Sequence, residues 1–402
     1  MSAPVAERTR LPRTRQLRIL VVTPYPVFPP THGGRVRSFR LAASLAQAGA
    51  SIDLLAPWCP GQPAHAYVRE GVRIRPHFFA RNVLALLPHA IVPSLVAVSA
   101  VPPGPRAKRW LRALGRYDIT QFEFCGHPSW MERAPSGTKV VYSAHNVEYD
   151  YLRLQPLYSG VRGRMVRRTH TLEERGFRAS DLVVTCTHRD ASRLKELYGS
   201  APVEVIPNGF DERALRPATP AEQVAARERL GIGPQERVLL FVGGPAPHNR
   251  EAVRFLVQEL RPRLSPTTTL VLVGHAADGC PTPNGNGARV RIVGYVDDPR
   301  DAFAAADLAL NPVGSGSGSS VKMVEYLGAG LPVVTTPSGA RGIDESSDRV
   351  RIAELDEFAE AVRVPLPPRG QRPPWIERFA WTRLGARLHA RYERLVTVPA
   401  TA

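Results

Sequence analysis

One unit occurs twice in this chain. In the first copy, LRILVVT (17–23) reads as a buried strand and is followed by a loop with Gly33-Gly34. A helical pattern then runs from about Val36 to Ala48, with Val36, Phe39, Ala43 and Ala46 on one face, and Gly49 stops it before the strand SIDLLAP. In the second copy the order is RVLLFVGG (237–244), a helical pattern from about Asn249 to Leu260, and TLVLVG (269–274). Strands and helices go on alternating through VRIVGYV, DAFAAA, DLALNP and LPVVTT, as a doubly wound parallel sheet requires. The expected class is therefore α/β with two such domains, and 402 residues at 43% hydrophobic content can fill two cores. The boundary is expected in the proline- and charge-rich segment 207–236.

The stretch GSGSGSSVKMVEYLGAGLPVVTT (314–336) reads as a glycine-serine loop, a short helix, a Gly-Ala-Gly stop and a β-branched strand. Small residues at Gly316, Ser317, Gly318, Ser319 and Ser320 let backbone N–H groups approach an anion. A helix beginning near Ser319 or Ser320 aims its positive end at the same spot. Lys322 and Glu325, three apart, share one helix face; the first suits a phosphate and the second a pair of hydroxyls. A sugar nucleotide presents both groups. The plainer alternative is a linker followed by a helix with a surface ion pair, but a linker is not expected so close before a buried-type strand.

Other classes lack their signatures. Neither half has GxGxxG after its first strand, and GxxxxGK[ST] is absent, which leaves dinucleotide oxidoreductases and P-loop ATPases unsupported. Cys59, Cys125, Cys186 and Cys280 lie far apart, with neither zinc-ligand nor disulfide spacing, so a reducing, cytoplasmic compartment is expected. The N-terminal segment has no apolar stretch of the secretory kind before the first strand. A net charge of +17 implies acidic partners, but the arginines are spread and carry no nucleic-acid-binding signature, so no nucleic acid is expected. The uncharged segment 83–101 contains Pro88, His89 and Pro93, which argue against a membrane span. With PRAKRWLRALGR (105–116) after it, it reads as a buried helix pair near the acceptor side or, in the second reading, as a peripheral patch for the anionic cytoplasmic face of a membrane.

The chain resembles the retaining GT-B glycosyltransferases of family four. The likeness rests on the segment PYPVFPPTHGGRVRSFRLAASLAQAG, then SAHNVE (143–148), DLVVTCTHRDASRL (181–194), VIPNGFD (205–211), FVGG, and the run from Asp307 to Gly342. It implies two Rossmann-like domains facing across a cleft. Residues 1–208 plus 375–402 would form the acceptor-binding domain and 209–374 the donor-binding domain. The final helix, with Trp381, Leu384, Leu388, Tyr392 and Leu395 on one face, would cross back onto the first domain. The activity implied is transfer of a sugar, a hexose or N-acetylhexosamine, from a nucleotide sugar to an acceptor hydroxyl with retention. The acceptor is open among a glycan, a lipid-linked intermediate and a secondary metabolite.

The resemblance assigns catalytic roles to Lys322, on the departing diphosphate, and to His145, near the sugar. It puts donor contacts at Gly243, Gly244, Arg250, the Gly316–Ser320 loop and Glu325, which would hold the ribose. Gly33 and Gly34 would approach donor phosphate or acceptor. No cofactor and no metal is expected, with Asp297-Asp298 read as a turn before Pro299. Two departures stand out. The usual glutamate eight positions before Glu325 is Ser317 here, and Gly244-Pro245 stands where many relatives have an arginine, so Lys322 with Arg250 would have to supply the charge. Two alternatives stay open: a GT-B relative of another reaction class, such as a nucleotide-sugar epimerase or a phosphorylase, and, because that glutamate is absent, a nucleotide-sugar-binding subunit without catalysis.

Overall fold

Each repeated unit opens its own parallel sheet. The computed structural model describes residues 15–28, 30, 33–58, 61–77, 115–125, 127–154, 159–281, 285–315, 318–343 and 347–397. The first sheet holds β1 (Arg18–Val22), β2 (Ser51–Pro57), β3 (Tyr67–Arg69), β4 (Val72–His77), β5 (Ile119–Glu123), β6 (Lys139–Ser143), β7 (Leu182–Thr185) and β8 (Val203–Val205). Their order is β3-β4-β2-β1-β5-β6-β7-β8, all parallel except the β3–β4 edge pair. The second holds β9 (Arg237–Val242), β10 (Thr268–Val273), β11 (Arg289–Gly294), β12 (Leu308–Asn311), β13 (Val333–Thr335) and β14 (Val350–Ile352), in the order β11-β10-β9-β12-β13-β14. In both sheets the strand order reverses beside the first strand, which opens a crevice at the carboxyl ends of the strands.

Alternate residues of each first strand enter different cores. Ile19 and Val21 pack on one face of β1, Leu20 and Val22 on the other; Val238 and Leu240 are separated from Leu239 and Phe241 by β9 in the same way. The final helix, Trp381–Thr397, buries Trp381, Leu384, Leu388 and Tyr392 in the first core. Burying a side chain of this kind contributes roughly 1.5–3 kcal/mol. It crosses the Gly33–Gln47 helix so closely that a Cβ on Gly385 would lie 2.4 Å from Ser44 Cβ.

The chain passes between domains twice, and the two passes are bonded together. Ile206 sits in the first core and Phe210 in the second. Phe210 N–H donates to Phe379 O at 3.1 Å, and Trp381 N–H donates to Phe210 O at 3.1 Å.

Three sequence expectations need correcting. The first-domain helix begins at Gly33, so Gly33 and Gly34 form its first turn and not a loop before it. The segment 207–236 is not all linker: Pro220–Arg229 is a helix with a Thr219/Glu222 capping box, and Ala226 packs into the second core. The helix expected from Asn249 spans Pro247–Phe255, with proline in its first turn, and continues as a π-turn over Leu256–Leu260. The uncharged segment 83–101 and residues 105–114 lie outside the described residues, so neither reading of them is decided. Among the described residues no helix is long and apolar enough to cross a membrane.

Candidate functional site

The two domains present helix N-termini to one another. The Gly33–Gln47 helix starts the first domain's side and the Val321–Gly328 helix the second's. A Cβ on Gly33 would lie 3.7 Å from Val321 Cγ2. Between them runs the glycine-serine loop. Gly318 has φ +65, and a Cβ there would fall 2.5 Å from Asn146 Oδ1 and 2.8 Å from His145 O. Only glycine allows both the left-handed turn and this approach. Asn208 Nδ2 ties the loop to the first interdomain pass, donating to Ser319 Oγ at 2.7 Å and Ser319 O at 3.2 Å. Ser320 caps the short helix by position, and its N–H donates to Arg341 O. Gly316 and Ser317 lie outside the described residues.

Lys322 and Glu325 are both partly buried on the cleft side of the Val321–Gly328 helix, and the structure forms no ion pair between them. Lys322 Nζ donates to Asn249 Oδ1 at 2.8 Å and stands 4.2 Å over the Phe241 ring. Asn249 is itself held by donating to Gly244 O at 3.2 Å. Burial of the ammonium end lowers the Lys322 pKa to about 7, against the opposing pull of Glu325's charge. Burial raises Glu325 to about 7, opposed by Lys322 and Arg40. His248, one residue before Asn249, is pushed down to about 4 by burial and by the charges of Lys322 and Arg341. Arg341 Nε reaches Gly318 O at 3.4 Å. Lys322, Arg341 and the two helix N-termini thus lie around the glycine-serine loop, an arrangement that suits a polyanion.

His145 follows β6 at its carboxyl end, but its ring turns inward. Nε2 lies 2.5 Å from Glu123 Oε2, and Nδ1 lies 3.4 Å from the Tyr25 hydroxyl. What it presents to the donor loop is its main-chain carbonyl. Gly243 is needed by the fold itself. A Cβ on Gly243 would meet the Phe241 ring at 2.7 Å and Ala276 Cβ at 2.9 Å. Arg250 is exposed, and the groups set against Lys322 are Asn249 and Phe241 in its stead. Asp298 is engaged by Arg300 and Asp297 by the Tyr295 hydroxyl. Among the described residues no cluster of three His, Cys, Asp or Glu could hold a metal ion.

Sequence reading missed Asn249, His248, Arg341, Asn208 and Glu123 at this site. The first two had a local signal, since they open the helix after the FVGG turn. Arg37 was missed too. Fully buried, it donates to Pro207 O at 3.1 Å, Ile206 O at 2.8 Å and Asn208 Oδ1 at 3.2 Å, and so fixes the first interdomain pass.

Comparison with known proteins identifies the family and the fold. Residues 31–213 match the model of Glycosyltransferase Family 4 and residues 236–366 that of Glycosyl transferases group 1. A D-inositol 3-phosphate glycosyltransferase 2 of Catenulispora acidiphila is 28% identical over 273 residues, 62% of each chain. The chain spans 39% to 62% of the length of the first curated relatives it matches. Sucrose-phosphate synthase of Thermosynechococcus elongatus superposes with TM-score 0.66 at 16% identity, covering 95% of each chain. Anabaena HepE, in complex with UDP-glucose, gives 0.59 at 17% identity over 95% of this chain and 97% of that one. The chain thus carries the Glycosyltransferase Family 4 and Glycosyl transferases group 1 domains in succession, folded as a GT-B protein.

Proposed function

We propose that this protein is a glycosyltransferase that takes a hexosyl or N-acetylhexosaminyl group from a nucleotide sugar, with UDP as the nucleotide, and passes it to an acceptor hydroxyl with retention. The observation that carries the reading is the meeting of the Gly33–Gln47 and Val321–Gly328 helix N-termini, with Lys322 buried in the first turn of the second. Breaking the anomeric bond leaves negative charge on the β-phosphate, and donors already in place stabilise it without reorganisation. Lys322 meets that charge, Arg341 and the loop amides share it, and Glu325 accepts from the ribose hydroxyls. The departing phosphate takes the acceptor proton, so no protein base is named.

The HepE likeness supports UDP-glucose as the first donor to try, and the names of the inositol-phosphate relatives suggest a phosphorylated polyol as first acceptor. The test is product analysis with UDP-glucose and D-inositol 3-phosphate. An α-linked product supports the reading. Nucleotide sugar altered without acceptor favours an epimerase, and donor binding without turnover favours a binding subunit. Lys322→Ala should lower kcat by roughly a hundredfold or more, as loss of an oxyanion donor does. Glu325→Gln should chiefly raise donor KM. Near-normal kinetics in both variants would remove the reading. With charge neutralised by Lys322, Arg341 and amides, activity should also persist in EDTA; a manganese requirement restored by re-addition contradicts that.

A further inference from the structure

A buried polar chain runs from the cleft to the final helix. Glu123, at the end of β5, has no exposed surface, and its two oxygens are committed separately. Oε2 accepts from His145 Nε2 at 2.5 Å and from Ser38 Oγ at 3.0 Å, while Oε1 accepts from Gln121 Nε2. Gln121 Oε1 in turn accepts from the Tyr392 hydroxyl at 2.6 Å. On the cleft side the Tyr25 hydroxyl stands 3.4 Å from His145 Nδ1, 3.1 Å from Ser38 Oγ and 3.3 Å from Gly34 O. Two motifs far apart in sequence, Gly33-Gly34 and SAHNVE, are therefore joined through one imidazole and one carboxylate.

A carboxylate without exposed surface is costly unless its lone pairs are filled, and here three donors and the charge of Arg37 surround it. Burial alone would raise its pKa, but the hydrogen bond from His145, with the Gln121 bond and the charge of Arg37, holds it below the usual carboxylate range. An ionised acceptor against Nε2 demands the proton there. That choice leaves Nδ1 for Tyr25.

We propose that Glu123 is a positioning residue for His145: by accepting the hydrogen bond from Nε2–H it fixes the tautomer and rotation of the ring, and with them the turn whose carbonyl the Gly318 loop closes against. The inference rests on the cleft being the donor site. It gives Tyr392 a part as well, because the crossover helix holds Gln121, and Gln121 holds the carboxylate. Glu123 touches no substrate in this scheme.

The ring itself reports the outcome. In protein labelled with 15N-histidine, the His145 signals, assigned by their loss in His145→Gln, should show the proton on Nε2. A neutral ring protonated on Nδ1, or one averaging both tautomers, overturns the proposal without any Glu123 variant. Glu123→Gln offers an amide donor to Nε2, so the proton should move to Nδ1. UDP release from UDP-glucose should slow by roughly a hundredfold, the loss typical of a small misplacement, while UDP stabilises the variant against heat as it does the wild type. Glu123→Asp keeps the charge and should keep the wild-type tautomer and recover part of kcat. Equal loss of kcat in both variants with the tautomer unchanged would mean that Glu123 only supports the fold, and overturns the proposal. If Glu123→Gln does not fold, the wild-type spectrum and Glu123→Asp decide. A wild type that binds UDP but turns over no nucleotide sugar would instead sink the transferase reading, with the tautomer still measurable.

Discussion

Binding of a nucleoside diphosphate to this cleft should take up a proton, because Lys322 is only part-charged beforehand. Its Nζ lies between Asn249 Oδ1 and the Phe241 ring, and burial brings its pKa down to about 7 from the ordinary 10.5. At about pH 8 only about a tenth of free molecules then carry the ammonium. A diphosphate beside Nζ favours the charged form and restores the pKa toward its ordinary value, so nearly every complex is protonated. The uptake is about 0.9 of a proton per UDP bound. His248, at about 4, is neutral on this side of the range, and Glu325, at about 7, is already mostly ionised. The sign follows: affinity is greatest below about pH 7 and weakens above it by about tenfold, or 1.4 kcal/mol, for each pH unit. Titration calorimetry of UDP in two buffers of different ionisation enthalpy gives the proton count directly. Lys322→Arg keeps its charge throughout and should abolish the uptake. A wild type with no uptake and a flat affinity from about pH 7 to 9, or uptake that persists in Lys322→Arg, would refute the placement of the diphosphate on Lys322.

Three further outcomes are expected. Gly318→Ala puts a methyl group into Asn146 Oδ1 and His145 O at a left-handed φ, so UDP affinity should fall at least tenfold with a melting temperature lowered by a few degrees; unchanged affinity would place the donor elsewhere. Arg37→Met leaves three acceptors at the interdomain pass unfilled and should cost about 2–4 kcal/mol in denaturant unfolding. Burial and the charge of Glu173 raise Glu148 to about 8, above its ordinary 4.5, so the folded state holds a proton that the unfolded state has lost and stability falls as pH rises between the two values. Glu148→Gln should therefore raise the melting temperature at about pH 8 and leave it near wild type at about pH 5.

The parts of this fold that could be read from the chain are those whose cause is local. β1 and β9 announce themselves as apolar runs, and the Lys322/Glu325 face follows from a spacing of three within one helix. The misread parts are those where a local cue was outweighed. Glycine disfavours a helix, so Gly33 and Gly34 looked like loop, yet they form the first turn, where Gly33 approaches Val321 of the opposite domain. Thr219 and Glu222 spelled a capping box around Pro220, but the surrounding prolines and charges, and a buried side made of Ala226 and Arg227, concealed the helix.

The cleft's chemistry divides in the same way. Asn249 and His248 could have been found from the turn after β9, whereas Arg341 reaches Gly318 only because β12 and β13 lie side by side and bring their following loops together. Glu123 is the most instructive miss. β5 is a central strand with every residue buried, and it reads ITQFE, placing Gln121 and Glu123 on one face where an apolar pair is the rule. Two polar groups at i and i+2 in such a strand must each find partners from elsewhere in the fold, because leaving them unfilled costs more than the strand can recover. The only candidates lie on neighbouring strands and on whatever helix covers that face. Here they are His145 after β6, Ser38 on the Gly33–Gln47 helix and Tyr392 on the crossover helix. A buried strand that spends core positions on an amide and a carboxylate therefore marks the place where the sheet hands its order to the site, even when no motif names it.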